Sequence, residues 1–271
     1  MITIKNLYFA YPNGKEILHG ISWDIVEGEF IAIMGENGAG KTTLIKHLNG
    51  LLKPTFGVIL VDGIDTRKSS IASISKKIGL VFQNPEHQLF CETAREEILF
   101  SLKNFGFNEE IAEKRTAKML EILNLTRYAE TSPFMLSGGE KKRLALASVL
   151  AWDPKYIILD EPTIGQDHEQ KSKLGNFIKQ LNSQGKTVII VTHDIEFVAE
   201  TKPKIVLLSK GKIIAKGSCT DILTDEKTLD EASLLMPQIS KLMTMLPKLN
   251  IEKKIVDVFM AKRIIEKSIR G

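Results

Sequence analysis

Two hydrophobic patterns recur along the chain. Five short runs are apolar at nearly every position: FIAIM (30–34), IGLVF (78–82), YIILD (156–160), TVIIV (187–191) and KIVLL (204–208). Strands apolar on both faces belong in a parallel sheet covered by helices. Between them, apolar residues recur at three- and four-residue spacing after Gly40 and over 109–123, 139–152 and 169–182, which predicts helices. Two earlier segments, ITIKNLYF and ILHGISWDIVEG, alternate apolar with polar, as strands of an antiparallel sheet do when one face is solvated. The pattern predicts an α/β body with an antiparallel β portion attached to its side.

Between Gln83 and Ser137 the strand runs stop, which marks a helical subdomain at about 84–145 inserted into the α/β core. It carries no sustained heptad, so no long coiled-coil arm is expected. Beyond Thr224 the character changes again: MPQISKLMTMLPKLN is broken by Pro237 and Pro247, and IEKKIVDVFMAKRIIEKSI has helical apolar spacing. The expected division is a main domain over 1–222 and a C-terminal helical extension over 223–271. The methionines of that extension suit a core or an interface.

Composition narrows the picture. The chain has 271 residues, 43% of them hydrophobic, with no apolar run near the roughly 18 to 20 residues that cross a bilayer. The amino terminus alternates like a strand and has no basic segment followed by an apolar core, so a secretory signal is not expected and the cytoplasm is. Cys91 and Cys219 have no metal-like spacing and are expected to be reduced. The net charge is +4, but from Pro237 onward eight Lys or Arg face three Asp or Glu, which leaves the first 236 residues at −1. A basic face over the main body, as a nucleic-acid binder needs, is not indicated.

Candidate chemistry begins at GENGAGKT, Gly35 to Thr42, which fits G-x-x-x-x-G-K-[ST] and lies between a buried strand and a helix. In this loop (Gly35, Glu36, Asn37, Gly38, Ala39, Gly40) glycines let successive backbone N–H groups curl around a phosphate, and the helix end adds its field. Lys41 reaches the β and γ phosphates, Thr42 offers its hydroxyl to Mg²⁺, and Thr43 is placed for the α phosphate. The pattern arises by chance in roughly one chain of this length per hundred. A second strand ends in Asp160 and Glu161. Asp160 presents a carboxylate to Mg²⁺, and Glu161 is the candidate for orienting or deprotonating the attacking water. His193, after TVIIV, and Gln83, after IGLVF, are expected at the same sheet edge, His193 at the γ phosphate and Gln83 beside metal and water.

The stretch LSGGE, 136–140, is left over by this ATP and Mg²⁺ site. A serine and two glycines opening a helix make a seat for an anion. Together these motifs resemble the ATP-binding subunits of ABC transporters over about residues 1–220: an α/β P-loop NTPase with antiparallel β, helical and C-terminal helical parts. The resemblance implies that Ser137, Gly138 and Gly139 cap the γ phosphate held by a second ATPase subunit, identical or related, because one chain holds one phosphate loop and one signature. It also implies that Tyr11 stacks on adenine and that Asp167, in TIGQD, crosses the dimer seam. Gln166 stands where leucine is more usual and Glu140 where glutamine often follows the glycines. VFQNPEHQLFCETAREEILFSLKNFG and the tail resemble the ATPases of energy-coupling factor transporters, which import vitamins and cobalt or nickel ions. That resemblance implies a peripheral position at the cytoplasmic membrane face, with a transmembrane coupling subunit and a substrate-binding membrane subunit, and no nucleic acid. It places Glu86 in the groove that receives the membrane partner. The alternative is a soluble ABC-type ATPase acting on nucleic acid or ribosomes; a simple P-loop kinase leaves LSGGE without a purpose.

Overall fold

The computed structural model describes residues 1–12, 14–246 and 254–270; Pro247, expected to break the tail, lies outside them. Strands β1 (Ile2–Ala10) and β2 (Glu16–Ile25) pair antiparallel, Ile4 opposite Trp23. After β3 (Phe30–Met34) and α1 (Lys41–Leu48), the hairpin β4 (Phe56–Val61) and β5 (Ile64–Asp65) completes this sheet in the order β2-β1-β4-β5. A short helix α2 (Ile71–Ser75) leads to β6 (Ile78–Val81). The helical subdomain follows with α3 (Ala94–Asn104), α4 (Glu109–Ile122) and α5 (Gly138–Leu150). Then come β7 (Tyr156–Asp160), α6 (His168–Ser183), β8 (Thr187–Val191), α7 (Ile195–Thr201), β9 (Lys204–Ser209) and β10 (Lys212–Gly217).

The second sheet has the order β10-β9-β3-β8-β7-β6, parallel except where β10 pairs with β9. Its strands alternate between two cores. Ile31, Ile33, Ile158, Ile189 and Val191 join the antiparallel sheet and α1 on one face. Ala32, Met34, Ile157, Leu159, Val188 and Ile190 join the helices on the other. This two-sided burial is why the runs read as continuous apolar stretches. Side-chain caps start the helices that bear on the site: Thr93 opens α3 and Ser137 opens α5, each in a reciprocal capping box, and Asp167 opens α6.

The tail continues with α8 (Cys219–Leu223), α9 (Glu226–Glu231), α10 (Gln238–Thr244) and α11 (Val258–Arg270). Leu229, Ala232 and Leu234 pack into the main core, whereas Met243, Ile255 and Ala261 form a small cluster of their own. Met236 packs against the main core and Met243 is buried, while Met245 is exposed. No helix among the described residues is long and apolar enough to cross a membrane.

Candidate functional site

Strand order sets the site. At the carboxyl edge, Ile33 of β3 registers with Val191 of β8, which registers with Asp160 of β7, and β6 lies beyond β7. The phosphate loop, His193, the Asp160–Glu161 pair and Gln83 therefore emerge side by side in that order. A ligand crevice at the carboxyl ends of parallel strands is the general rule for open α/β sheets.

The loop's shape depends on its glycines. Gly35 has φ +145°, and a Cβ there would lie 2.0 Å from the Leu208 carbonyl oxygen of the neighbouring β9. No side chain fits. Gly40 caps α1 without a side-chain hydrogen bond, so the backbone N–H groups of the first turn stay available to an anion. Lys41, 7% exposed, donates from Nζ to the carbonyl oxygens of Gly35 (2.8 Å) and Glu36 (2.9 Å). Burial holds its pKa below the ordinary lysine value, against the pull of Glu161, Asp160 and Glu36. Phosphate oxygens would replace those two carbonyls as better partners for a desolvated ammonium.

Thr42 Oγ1 donates to Asp160 Oδ2 at 3.2 Å, and Asp160 Oδ1 is buried with no protein partner among the described residues. Burial raises the Asp160 pKa; the Thr42 hydrogen bond opposes that rise, and the neighbouring Glu161 charge adds to it. No group of three or more His, Cys, Asp or Glu among the described residues makes a metal cage. A hydroxyl and one carboxylate, both hard oxygens, instead fit a Mg²⁺ that keeps most of its ligands as water and phosphate.

Glu161 is 7% exposed and sits at φ +47°, a left-handed conformation that costs a non-glycine residue about 1 to 3 kcal/mol. Its backbone N–H donates to Val191 O at 2.8 Å, which ties the turn to β8. Its Oε1 lies 2.9 Å from His193 Nδ1, while Oε2 is buried without a protein partner. One carboxylate oxygen is thus oriented by histidine and the other is left as an acceptor. His193, expected at the γ phosphate, here bonds Glu161. Gln83 lines the same cleft as Asp160 and Glu161. Tyr11 follows β1 with its hydroxyl 3.4 Å from Thr43 Oγ1 and its ring edge-on to Phe9, centroids 4.8 Å apart. The ring is therefore part of the core wall and also flanks the phosphate-loop helix.

The signature residues lie elsewhere. Gly138 and Gly139 line a different cleft, with Asn84, Glu86, Lys141 and Gly165, which shares Lys142 and Gln166 with the first. A Cβ on Gly138 would meet nothing within 4 Å, and one on Gly139 nothing closer than 3.7 Å. Their own chain gives these helical residues no steric reason to be glycine. Ser137 Oγ donates to Glu140 Oε2 at 2.7 Å, and the same oxygen accepts the Ser137 backbone N–H at 2.8 Å. Hydrogen bonds from the Tyr128 hydroxyl first, and then from Ser137, hold Glu140 down to a pKa of about 2. Asp167 is spent locally, its Oδ1 accepting the Gln170 N–H at 2.8 Å. Glu86 pairs with Lys141 at 2.7 Å.

Sequence reasoning assigned no role to Lys142 or Arg143, which line the carboxylate cleft from α5. Their three- and four-residue offset from Gly139 was the available signal, since it puts them on one face with the signature. Ser233, whose Oγ donates to Glu36 Oε2 at 3.2 Å, was also missed; nothing in a sequence links residues so far apart.

Known proteins are similar to this chain in sequence and in fold. A sequence profile described as ABC transporter matches residues 18–164. The energy-coupling factor transporter ATP-binding protein EcfA of Methanosphaera stadtmanae is 42% identical over 250 residues, 92% of this chain and 90% of that protein. The structure of CbiO1 from Clostridium perfringens, part of the ABC transporter complex CbiONQ, aligns with a TM-score of 0.76 at 34% identity, covering 90% of this chain and 98% of its own. An ATP-binding cassette solved as a dimer in a post-hydrolysis state with ADP and Pi aligns with a TM-score of 0.74 at 33% identity, covering 81% and 99%.

Proposed function

Because this chain belongs to the ABC transporter ATP-binding family, and is an ATPase of that family, we propose that it powers an energy-coupling factor importer for a vitamin or for cobalt or nickel ions. Two ATP molecules close a pair of such subunits, hydrolysis removes the γ phosphates that join them, and reopening moves a transmembrane coupling subunit that works with a substrate-binding membrane subunit. The chain then acts as a peripheral protein on the cytoplasmic membrane face. The observation that carries the reading is the separation of two half-sites in one chain. The cleft around Asp160 and Glu161 lacks the signature glycines, and those glycines have no local steric purpose. A close approach from a second subunit supplies one.

In this reading Tyr11 stacks on adenine and the N–H groups of residues 35–43 take the phosphates. Lys41 turns from the Gly35 and Glu36 carbonyls to the β and γ phosphates. Thr42 and Asp160, with Gln83 beside them, would hold Mg²⁺, which neutralises charge on the β and γ oxygens. Glu161 Oε2 takes the proton of the attacking water while His193 steadies Oε1 and faces the γ phosphate. Ser137, Gly138, Gly139 and Asp167 serve the partner's nucleotide. Residues 1–222 form the ATPase domain and 223–271 a dimerisation extension.

The test is to recover the full chain from detergent-solubilised membranes of its own cells and to identify what comes with it by mass spectrometry. An integral membrane subunit and a second ATPase copy or relative are expected, with ATPase activity in the same fraction. Activity that stays in the soluble fraction and rises with added nucleic acid or ribosomes would establish the soluble-ATPase alternative instead.

A further inference from the structure

The cleft beside the two carboxylates holds two polar atoms that this chemistry does not use. Arg143 Nε, on α5, and Gln166 Oε1, in the turn after β7, both belong to residues lining it, and each is buried without a hydrogen-bond partner among the described residues. One is a donor and the other an acceptor. Much of the remaining wall is Val81, Leu146, Leu159 and Leu174. A leucine at 166, the more usual residue, would join that wall with no polar group to desolvate. A buried amide in a cleft that a guanidinium also lines asks for a use.

The backbone supplies one. Glu161 stands in a strained conformation, at φ +47°. The Ile164 N–H donates to Glu161 O at 3.4 Å and the Gln166 N–H donates to Thr163 O at 3.1 Å, so two successive turns connect the carboxylate residue to Gln166. Lys142 Nζ, one position before Arg143, donates to Ile164 O. Among the described residues this is the hydrogen bond from α5 to the turn, whose other backbone tie, Glu161 N–H to Val191 O, runs to β8 instead. A second grip would fix the turn's orientation.

Resting on the hydrolytic reading above, we propose that Gln166 and Arg143 are positioning residues, joined across the cleft through one water, that lock the turn carrying Glu161 to the signature helix. Movement of α5 on nucleotide-driven closure then reaches the Glu161 carboxylate through a rigid link instead of a hinge.

The experiment measures steady-state ATPase kinetics and Tm on the full chain in its assembled complex. Gln166→Leu should lower kcat about tenfold with KM for ATP changed by less than about twofold, while Tm stays level, because the hydrogen bond lost is offset by a hydrocarbon in place of a desolvated amide. Gln166→Glu keeps an acceptor for Arg143 and should retain about half of kcat or more. Arg143→Met combined with Gln166→Leu should lose no more than the worse single variant. The proposal is overturned by a Gln166→Leu enzyme at the parental kcat, by an equal fall in Gln166→Glu, or by losses that follow a lowered Tm. A parent complex with no ATPase activity at all would sink the underlying reading, and this one with it.

Discussion

The phosphate loop and the signature stretch are both glycine-rich entries into a helix, and they use glycine for opposite reasons. At the phosphate loop the requirement is internal: Gly35 has φ +145° and lies so close to β9 that a Cβ would fall 2.0 Å from a carbonyl oxygen. At the signature, Gly138 has open space around it and Gly139 only ordinary contacts. The two regions differ in their polar atoms as well. Asp160 Oδ1 and Glu161 Oε2 are buried and unpartnered, whereas Ser137 and Glu140 satisfy each other in a capping box. In the function proposed above, one region is completed by a ligand and the other by a second subunit. A short motif that looks the same on paper is thus told apart by whether its own fold needs the glycine.

The largest loss of activity is expected at Glu161. Glu161→Gln keeps the shape and a polar contact to His193 but removes the proton acceptor. The expected loss in kcat is about 10² to 10⁴-fold, with ATP still bound and a closed dimer accumulating in size-exclusion chromatography when ATP is present. Turnover at the parental rate would remove Glu161 from the role of base.

Next in size are the glycines themselves, where stability and activity should separate. Gly35→Ala must displace β9 and is expected to cost about 2 to 4 kcal/mol of folding stability, with nucleotide binding lost alongside. Gly139→Ala should do the reverse: helix propensity favours alanine by about 0.5 to 1 kcal/mol, so Tm holds or rises, while kcat falls about 10- to 100-fold because the partner's nucleotide can no longer approach. Thermal melts and ATPase assays on the two variants read both quantities. A Gly139→Ala subunit that is active at the parental level would mean that no close approach happens there.

Much of this was legible in the sequence, and the exceptions have physical causes. FIAIM, YIILD and TVIIV read as strands because both faces of the sheet are buried, and Ser137 with Glu140 three residues on is a recognisable helix start. The strand β4 is hard to read from its apolar pattern because its burial is uneven, although Asp62 and Gly63, at φ +48° and +81°, form the Asp-Gly turn that marks a hairpin. The bond between His193 and Glu161 was not legible, since it depends on β8 lying between β3 and β7, and strand order is a property of packing. For the same reason Arg143 has no reading in the sequence, and Gln166 only a departure from the more usual leucine, until α5 is seen against the turn after β7. Both local patterns and the residue types of the chemistry were present in the string; which of them face each other was not.

The smallest expected effect concerns the self-satisfied side. Glu140 places a carboxylate at the end of α5 where, in the proposed dimer, the partner's γ phosphate arrives, and it occupies the Ser137 hydroxyl that would otherwise be free to donate. Glu140→Gln retains the capping geometry, which glutamine also makes, and removes one negative charge from the seat. The concentration of ATP giving half-maximal turnover should therefore fall by about two- to fivefold. Because the Tyr128 and Ser137 hydrogen bonds hold the Glu140 pKa at about 2 against an ordinary 4.5, the group is charged at every pH from 5 to 9, and the ratio between variant and parent should be flat across that range. The sign for stability follows from the same depression: the carboxylate's contribution is complete above 4.5 and is lost as pH falls toward 2. Acid unfolding of the variant should accordingly depend less steeply on pH below 4.5 than that of the parent. A half-saturating ATP concentration that is unchanged, or that rises, would show that the carboxylate does not compete with phosphate for the helix end.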